Sequence, residues 1–97
     1  MNLNKEQKKF LRKLAHSLDP VARVGQNGLS DSVMEELETA LNHHELVKVK
    51  IRVGDRALRG QTITRLCEKS RAVLVQKIGN TVTLYRKNRK KPGIALP

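Results

Sequence analysis

From Leu46 to Val53 the chain reads LVKVKIRV, with an apolar residue at every second position after the first. Side chains of an extended strand point alternately to opposite faces. Val47, Val49, Ile51 and Val53 therefore share one side, and Lys48, Lys50 and Arg52 share the other. A strand so divided belongs in a sheet whose apolar side is packed, and the rest of the sequence has to supply the packing.

Helical spacing on either side of this strand does so. From about Lys5 to Leu18, Phe10, Leu11, Leu14 and Leu18 form an apolar stripe, while Lys5, Lys8, Lys9, Arg12, Lys13 and His16 fill the opposite face. Asp19-Pro20 ends this helix, and Val21 to Val24 reads as a short strand. Ser32 stands three residues before Glu35 in a capping pattern, and Ser30 is an equally good cap. The second helix buries Val33, Met34, Leu37, Ala40 and Leu41 and ends at His43-His44-Glu45. Gly54-Asp55 opens a third helix that buries Ile63, Leu66 and Cys67 and ends near Ser70, although Gly60, Thr62 and Thr64 lower its propensity.

In AVLVQKIGNTVTLYR two β-rich runs meet at Gly79-Asn80, the signature of a two-residue hairpin turn, and the register sets Val75 opposite Leu84 and Leu74 opposite Tyr85. The order is αβαβαββ. Helical crossovers predict parallel strands and the hairpin an antiparallel pair, which gives an α/β fold with one mixed four-stranded sheet packed with helices. After Arg86 the segment KNRKKPGIALP has no periodicity and reads as a basic, mobile tail, leaving one domain over residues 1–86 and a tail over 87–97.

Twenty Lys and Arg against nine Asp and Glu give a formal charge of +11, which makes nucleic acid the leading partner. The charge is segregated: five cations lie in the first helix and five between Arg86 and Lys91, whereas five of the acids fall between Asp31 and Glu45. A single cysteine, Cys67, forms no intrachain disulfide and suits a reducing cytoplasm, and its place on an apolar helix face marks it as a core thiol. Nowhere do 18 apolar residues run together, so neither a signal peptide nor a membrane span is expected. His16, His43 and His44 lack the spacing of a metal site, and no acid–base pair stands out, so no metal, cofactor, small-molecule substrate or enzymatic activity is expected.

The loop Gly25-Gln26-Asn27-Gly28 lies between a short strand and a helix start. It lacks the third glycine of a dinucleotide fingerprint and the Gly-Lys-Ser/Thr of a mononucleotide loop. Two readings remain open. In one, Gly25 and Gly28 take positive φ in a tight turn. In the other the loop is a backbone clamp of the kind KH domains use, where glycines admit a sugar-phosphate chain and helix-start amides meet its phosphates. With only Phe10 and Tyr85 as aromatic residues, aromatic base-stacking platforms are not expected. The candidate nucleic-acid contacts are Gly25, Gln26, Asn27 and Gly28, with Arg23, Lys48, Lys50, Arg52 and the helix cations Lys5, Lys8, Lys9, Arg12 and Lys13. A rival reading makes the basic amphipathic first helix an adaptor for acidic proteins or anionic membranes.

The segment GQNGLSDSVMEELETALNHHELVKVKI, flanked by LRKLAH and IGNTVTLYR, resembles the YhbY-type members of the CRM family, the chloroplast RNA splicing and ribosome maturation domain. The resemblance covers nearly the whole chain. It implies a fold similar to the C-terminal domain of translation initiation factor 3 and RNA binding through the glycine loop and a nearby basic surface. For single-domain bacterial members it also implies association with large-subunit rRNA in precursor ribosomal particles.

Overall fold

The structure is a computed structural model that describes residues 2–97. Three helices and four strands follow the expected order: α1 Lys5–Ala15, β1 Pro20–Val24, α2 Asp31–His44, β2 Leu46–Ile51, α3 Arg56–Ser70, β3 Val73–Ile78 and β4 Thr81–Tyr85. The strands form one mixed sheet in the order β1-β2-β4-β3.

The crossover through α2 places β1 parallel to β2, as the sequence predicts. The crossover through α3 also returns the chain in the direction of β2, but β4 lies between β2 and β3 and pairs antiparallel with both. Burial accounts for this order. Val82 and Leu84 of β4 are buried toward one face and Thr83 and Tyr85 toward the other, as suits a central strand, whereas Lys77 and Ile78 of β3 are exposed, as suits an edge.

The expected hairpin register holds from Ile78–Thr81 to Gln76–Thr83, then slips by one at a bulge, so that Leu74 faces Leu84 and Val73 faces Tyr85. The extra residue is Val75. It packs with α1, on the same side as its neighbour Gln76, while Leu74 packs on the other side of the sheet, so the bulge exchanges the faces that the unbroken register gave to Leu74 and Val75.

One face of the sheet carries Ala22, Val24, Val47, Val49, Ile51, Val82 and Leu84, which pack against Leu37 and Leu41 of α2 and Ile63 and Leu66 of α3. Val33, Met34 and Ala40 of α2 and Cys67 of α3 are only partly buried against this core. On the other face a smaller cluster joins Leu11 and Ala15 of α1 to Leu46, Val75 and Tyr85. Here the expected α1 stripe is corrected: Leu14 and Leu18 are exposed and Ala15 is buried instead. Within the helix, the face turned to the sheet is the Leu11–Ala15 line, four residues apart, and Leu14 lies beside it; Leu18 is lost to the stripe because the helix ends early. His16 and Leu18 donate to carbonyls only three residues back, on the approach to Pro20, so Leu18 leaves the helical stripe.

Ser30 caps α2 through Val33 N–H, and Asp55 caps α3 through Leu58 N–H. Arg86 ties the far ends of both helices together, donating to Glu38 at 2.8 Å, to the Ser70 carbonyl at 2.8 Å and to Asn42 at 3.0 Å.

The segment expected to be a mobile tail is fastened to the body. Glu45, only 2% exposed, accepts backbone N–H bonds from Asn88 (2.6 Å), Gly93 (2.8 Å) and Ile94 (2.7 Å). Ile94 and Leu96 then pack against the α1 cluster. A Cβ on Gly93 would stand 3.2 Å from the Glu45 carboxylate, so this approach favours glycine. No helix among the described residues is long and apolar enough to cross a membrane.

Candidate nucleic-acid interface

The sheet face that α1 covers is covered only in part. Strand register resolves it into cross-strand rows. Leu46 and Tyr85 lie side by side in the cluster with Leu11 and Ala15. The next row is Lys48, Thr83 and Gln76, and beyond it come Arg23, Lys50, Thr81 and Ile78. The face thus passes from apolar, beneath the helix, to cationic and polar where the helix no longer covers it.

On the α1 side, Lys9, Arg12, Lys13 and His16 recur at helical spacing along one stripe. They form one wall of an open groove of about 780 Å³ that also includes Lys48, Gln76, Ile78, Thr81 and Thr83. No acidic residue lines it. Of the cations expected from sequence, Lys9, Arg12, Lys13 and Lys48 converge here. Lys50 and Arg23 continue the surface along the next row, and Arg52 follows at its end, its backbone N–H donating to the Val24 carbonyl at 2.7 Å. Lys5 stands one turn before Lys9, while Lys8 is half-buried, and neither lines the groove.

Gly25 to Gly28 follow β1 directly at this end of the sheet, near the β2–α3 connection and the Gly79-Asn80 turn, whose Asn80 carbonyl accepts from Ile51 N–H. The loop is a tight turn closed by Gly28 N–H to the Gly25 carbonyl at 3.0 Å. Of the loop residues only Gly28 has positive φ, at 72°, so the reading with a left-handed Gly25 is corrected: the central residues of this turn, Gln26 and Asn27, have ordinary φ, and the left-handed conformation falls on its last residue, where the chain leaves for α2. A Cβ at Gly25 would meet nothing within 4 Å. Gln26 and Asn27 are exposed.

The α2 N-terminus offers less to an anion than the spacing suggested. Ser30 Oγ already takes the Val33 N–H, and Asp31 places a carboxylate in the first turn. The cations of the sheet face, rather than the helix start, dominate the electrostatics of this end. Arg86 differs from them, because its guanidinium is held within the protein.

Reading by charge alone missed the neutral floor of Gln76, Thr81 and Thr83 and the exposed Ile78. Their signal was the alternation of the hairpin, but whether a strand face is covered depends on where α1 docks. Cys67 is half-buried, and burial together with the neighbouring Glu68 pushes its thiol up, which keeps it protonated. No group of three or more metal-ligating side chains occurs among the described residues.

Residues 3–86 match the CRS1 / YhbY (CRM) domain. The chain belongs to this family. The "Probable RNA-binding protein PA4753" of Pseudomonas aeruginosa is 48% identical over 90 residues, covering 93% of this chain and 86% of the relative. The "Probable RNA-binding protein YqeI" of Bacillus subtilis is 37% identical over 95 residues, covering 98% and 99%. The solution structure of the hypothetical protein SAV1595 from Staphylococcus aureus superposes on this CRM domain with a TM-score of 0.82 at 31% identity, over 99% of this chain and all of that one.

Proposed function

We propose that this CRM domain is a non-catalytic RNA-binding protein of the cytoplasm that grips structured RNA by the Gly25–Gly28 loop and the cationic sheet face. Its proposed target is large-subunit rRNA in precursor ribosomal particles. The observation that carries the loop's role is Gly25. Its φ is ordinary and its Cβ position is open space, so the fold itself does not require glycine there, whereas a closely approaching sugar-phosphate chain does. The named relatives support RNA as the ligand.

Gly25→Ala is therefore the clean test. The thermal transition should stay where it is and RNA affinity should fall by about tenfold, a loss of about 1.4 kcal/mol. An unchanged affinity would reduce the loop to a turn. Gly28→Asp should weaken binding further, but it adds backbone strain at φ 72° and so mixes two causes. With about four to six phosphates neutralised, log K should fall with log salt at a slope of about 3 to 4 on single-stranded RNA, and somewhat more steeply on a paired stem. For the target, crosslinking in sedimented lysate should recover large-subunit rRNA from precursor particles; recovery confined to the small subunit or messenger RNA would reject that assignment.

The rival reading of α1 as a membrane or protein adaptor needs a free apolar face. Of its apolar stripe only Leu14 and Leu18 are exposed; Leu11 and Ala15 are buried against Leu46, Val75 and Tyr85, so exposing them would dismantle the smaller core.

A further inference from the structure

We propose that the groove between α1 and the uncovered half of the sheet receives one unpaired nucleotide of the bound RNA. Its phosphate would lie among Lys9, Arg12, Lys13 and Lys48, and its base over Ile78, within reach of Gln76 and Thr83. This rests on the RNA-binding reading and names the kind of RNA: a stem with a bulged or looped-out nucleotide rather than an uninterrupted duplex.

The argument turns on what lies beneath the cations. A surface that only follows phosphates needs positive charge and nothing more. This groove has a neutral floor. Thr83 sits at the bottom, 4% exposed, with Gln76 beside it as its cross-strand partner. An amide can both donate to and accept from a base edge, and a hydroxyl can do either. Ile78 is 65% exposed, the most exposed of the large apolar residues, and it opens onto the same groove. A flat base laid over it would remove that surface from water.

A paired A-form stem offers phosphates and hydroxyls outside and keeps its bases within, so it would satisfy the walls and leave the floor unused. An unpaired nucleotide satisfies both. At about 780 Å³ the groove lies within the range of about 300–1,000 Å³ typical of pockets that take small ligands. The absence of an acidic residue from its lining removes the main obstacle to a phosphate.

The test compares a fully paired RNA stem with the same stem carrying a short unpaired bulge, at one salt concentration. The full-length protein should bind the bulged stem about tenfold more tightly. The double variant Gln76→Ala/Ile78→Ser, on an edge strand, should collapse that preference to less than about twofold, as should the near-isosteric Thr83→Val. A photoreactive uridine in the bulge should crosslink within residues 76–83 of the unmodified protein, a readout that does not depend on variants folding. Equal affinity for the two stems, or crosslinks only at the glycine loop, would overturn the groove assignment and leave RNA binding standing. Failure to bind either stem would instead remove the RNA-binding reading itself.

Discussion

The two faces of the sheet are built from alternate residues of the same strands, yet they differ in almost every physical respect. Toward α2 and α3, β4 presents Val82 and Leu84, and β2 presents Val47, Val49 and Ile51, all nearly inaccessible to water. Toward α1 the same strands present Thr81, Thr83 and Tyr85, and Lys48 and Lys50. The first face holds the domain together. The second is closed at one end only, and cations occupy the open end, where no acidic residue lines the groove. The pleat of single strands thus separates the core face from the face proposed to bind RNA.

The largest effect that would break this separation lies at Leu84. Leu84→Ala should destabilise the domain by about 3 kcal/mol, through lost burial and the cavity left between β4 and the helices. Its counterpart is Lys48→Ala/Lys50→Ala, which should change stability by no more than about 0.5 kcal/mol while weakening RNA binding by about tenfold or more. Chemical denaturation together with RNA titration of both variants reads the contrast. If the lysine variant unfolds as easily as Leu84→Ala, the division between the faces is false.

Much of this contrast was legible in the sequence. LVKVKIRV assigned the side chains of β2 from Val47 onward to their proper faces but said nothing of Leu46, which is buried beneath α1, and the element order followed from helical and strand periods interrupted by Asp19-Pro20, Gly54-Asp55 and Gly79-Asn80. Strand order was not legible, because periodicity says how a strand is buried and not which neighbour it takes. The Val75 bulge was hidden for a related reason: VLV is apolar at three successive positions and fits either register. The cations of the candidate interface could be named, but their meeting over a neutral floor depends on where α1 docks.

Least visible was Glu45. It lies at the C-terminal end of α2 with φ at 62°, a position where glycine or asparagine is usual, and its partners are more than 40 residues away. Burial works to raise its carboxyl, but the N–H groups of Asn88, Ile94 and Gly93 and the Lys87 ammonium outweigh this and hold it below the ordinary value. An acid depressed in the folded state contributes stability at neutral pH, and that contribution disappears as pH falls through the depressed value. Acidification should therefore release residues 87–97 ahead of the closed sheet face. Hydrogen exchange at Gly93 and Ile94 should speed up on acidification, after correction for intrinsic rates, while Leu84 stays protected. Glu45→Gln should abolish this pH dependence and cost about 1–2 kcal/mol at neutral pH. A tail that exchanges freely at every pH would show that the latch does not hold the arm.

The smallest effect tests how complete the packing is at the closed end beneath α1. Tyr85 is fully buried between Leu11, Ala15, Leu46 and Val75, and its hydroxyl is the one buried side-chain polar atom among the described residues without a hydrogen-bond partner. Burial, with the nearby Glu45 carboxylate, pushes its ionisation up, so the hydroxyl stays neutral. An unpaired hydroxyl in an apolar cluster opposes folding. Tyr85→Phe keeps the ring and removes only the oxygen, so it should leave stability unchanged or raise it by up to about 1 kcal/mol. A loss of more than about 1 kcal/mol would mean that the hydroxyl is bonded in solution, to a buried water or to Glu45, and that this end of the face is held by a polar contact as well as by packing. RNA affinity should not move in either case, because Tyr85 lies on the covered side of the row that begins with Lys48.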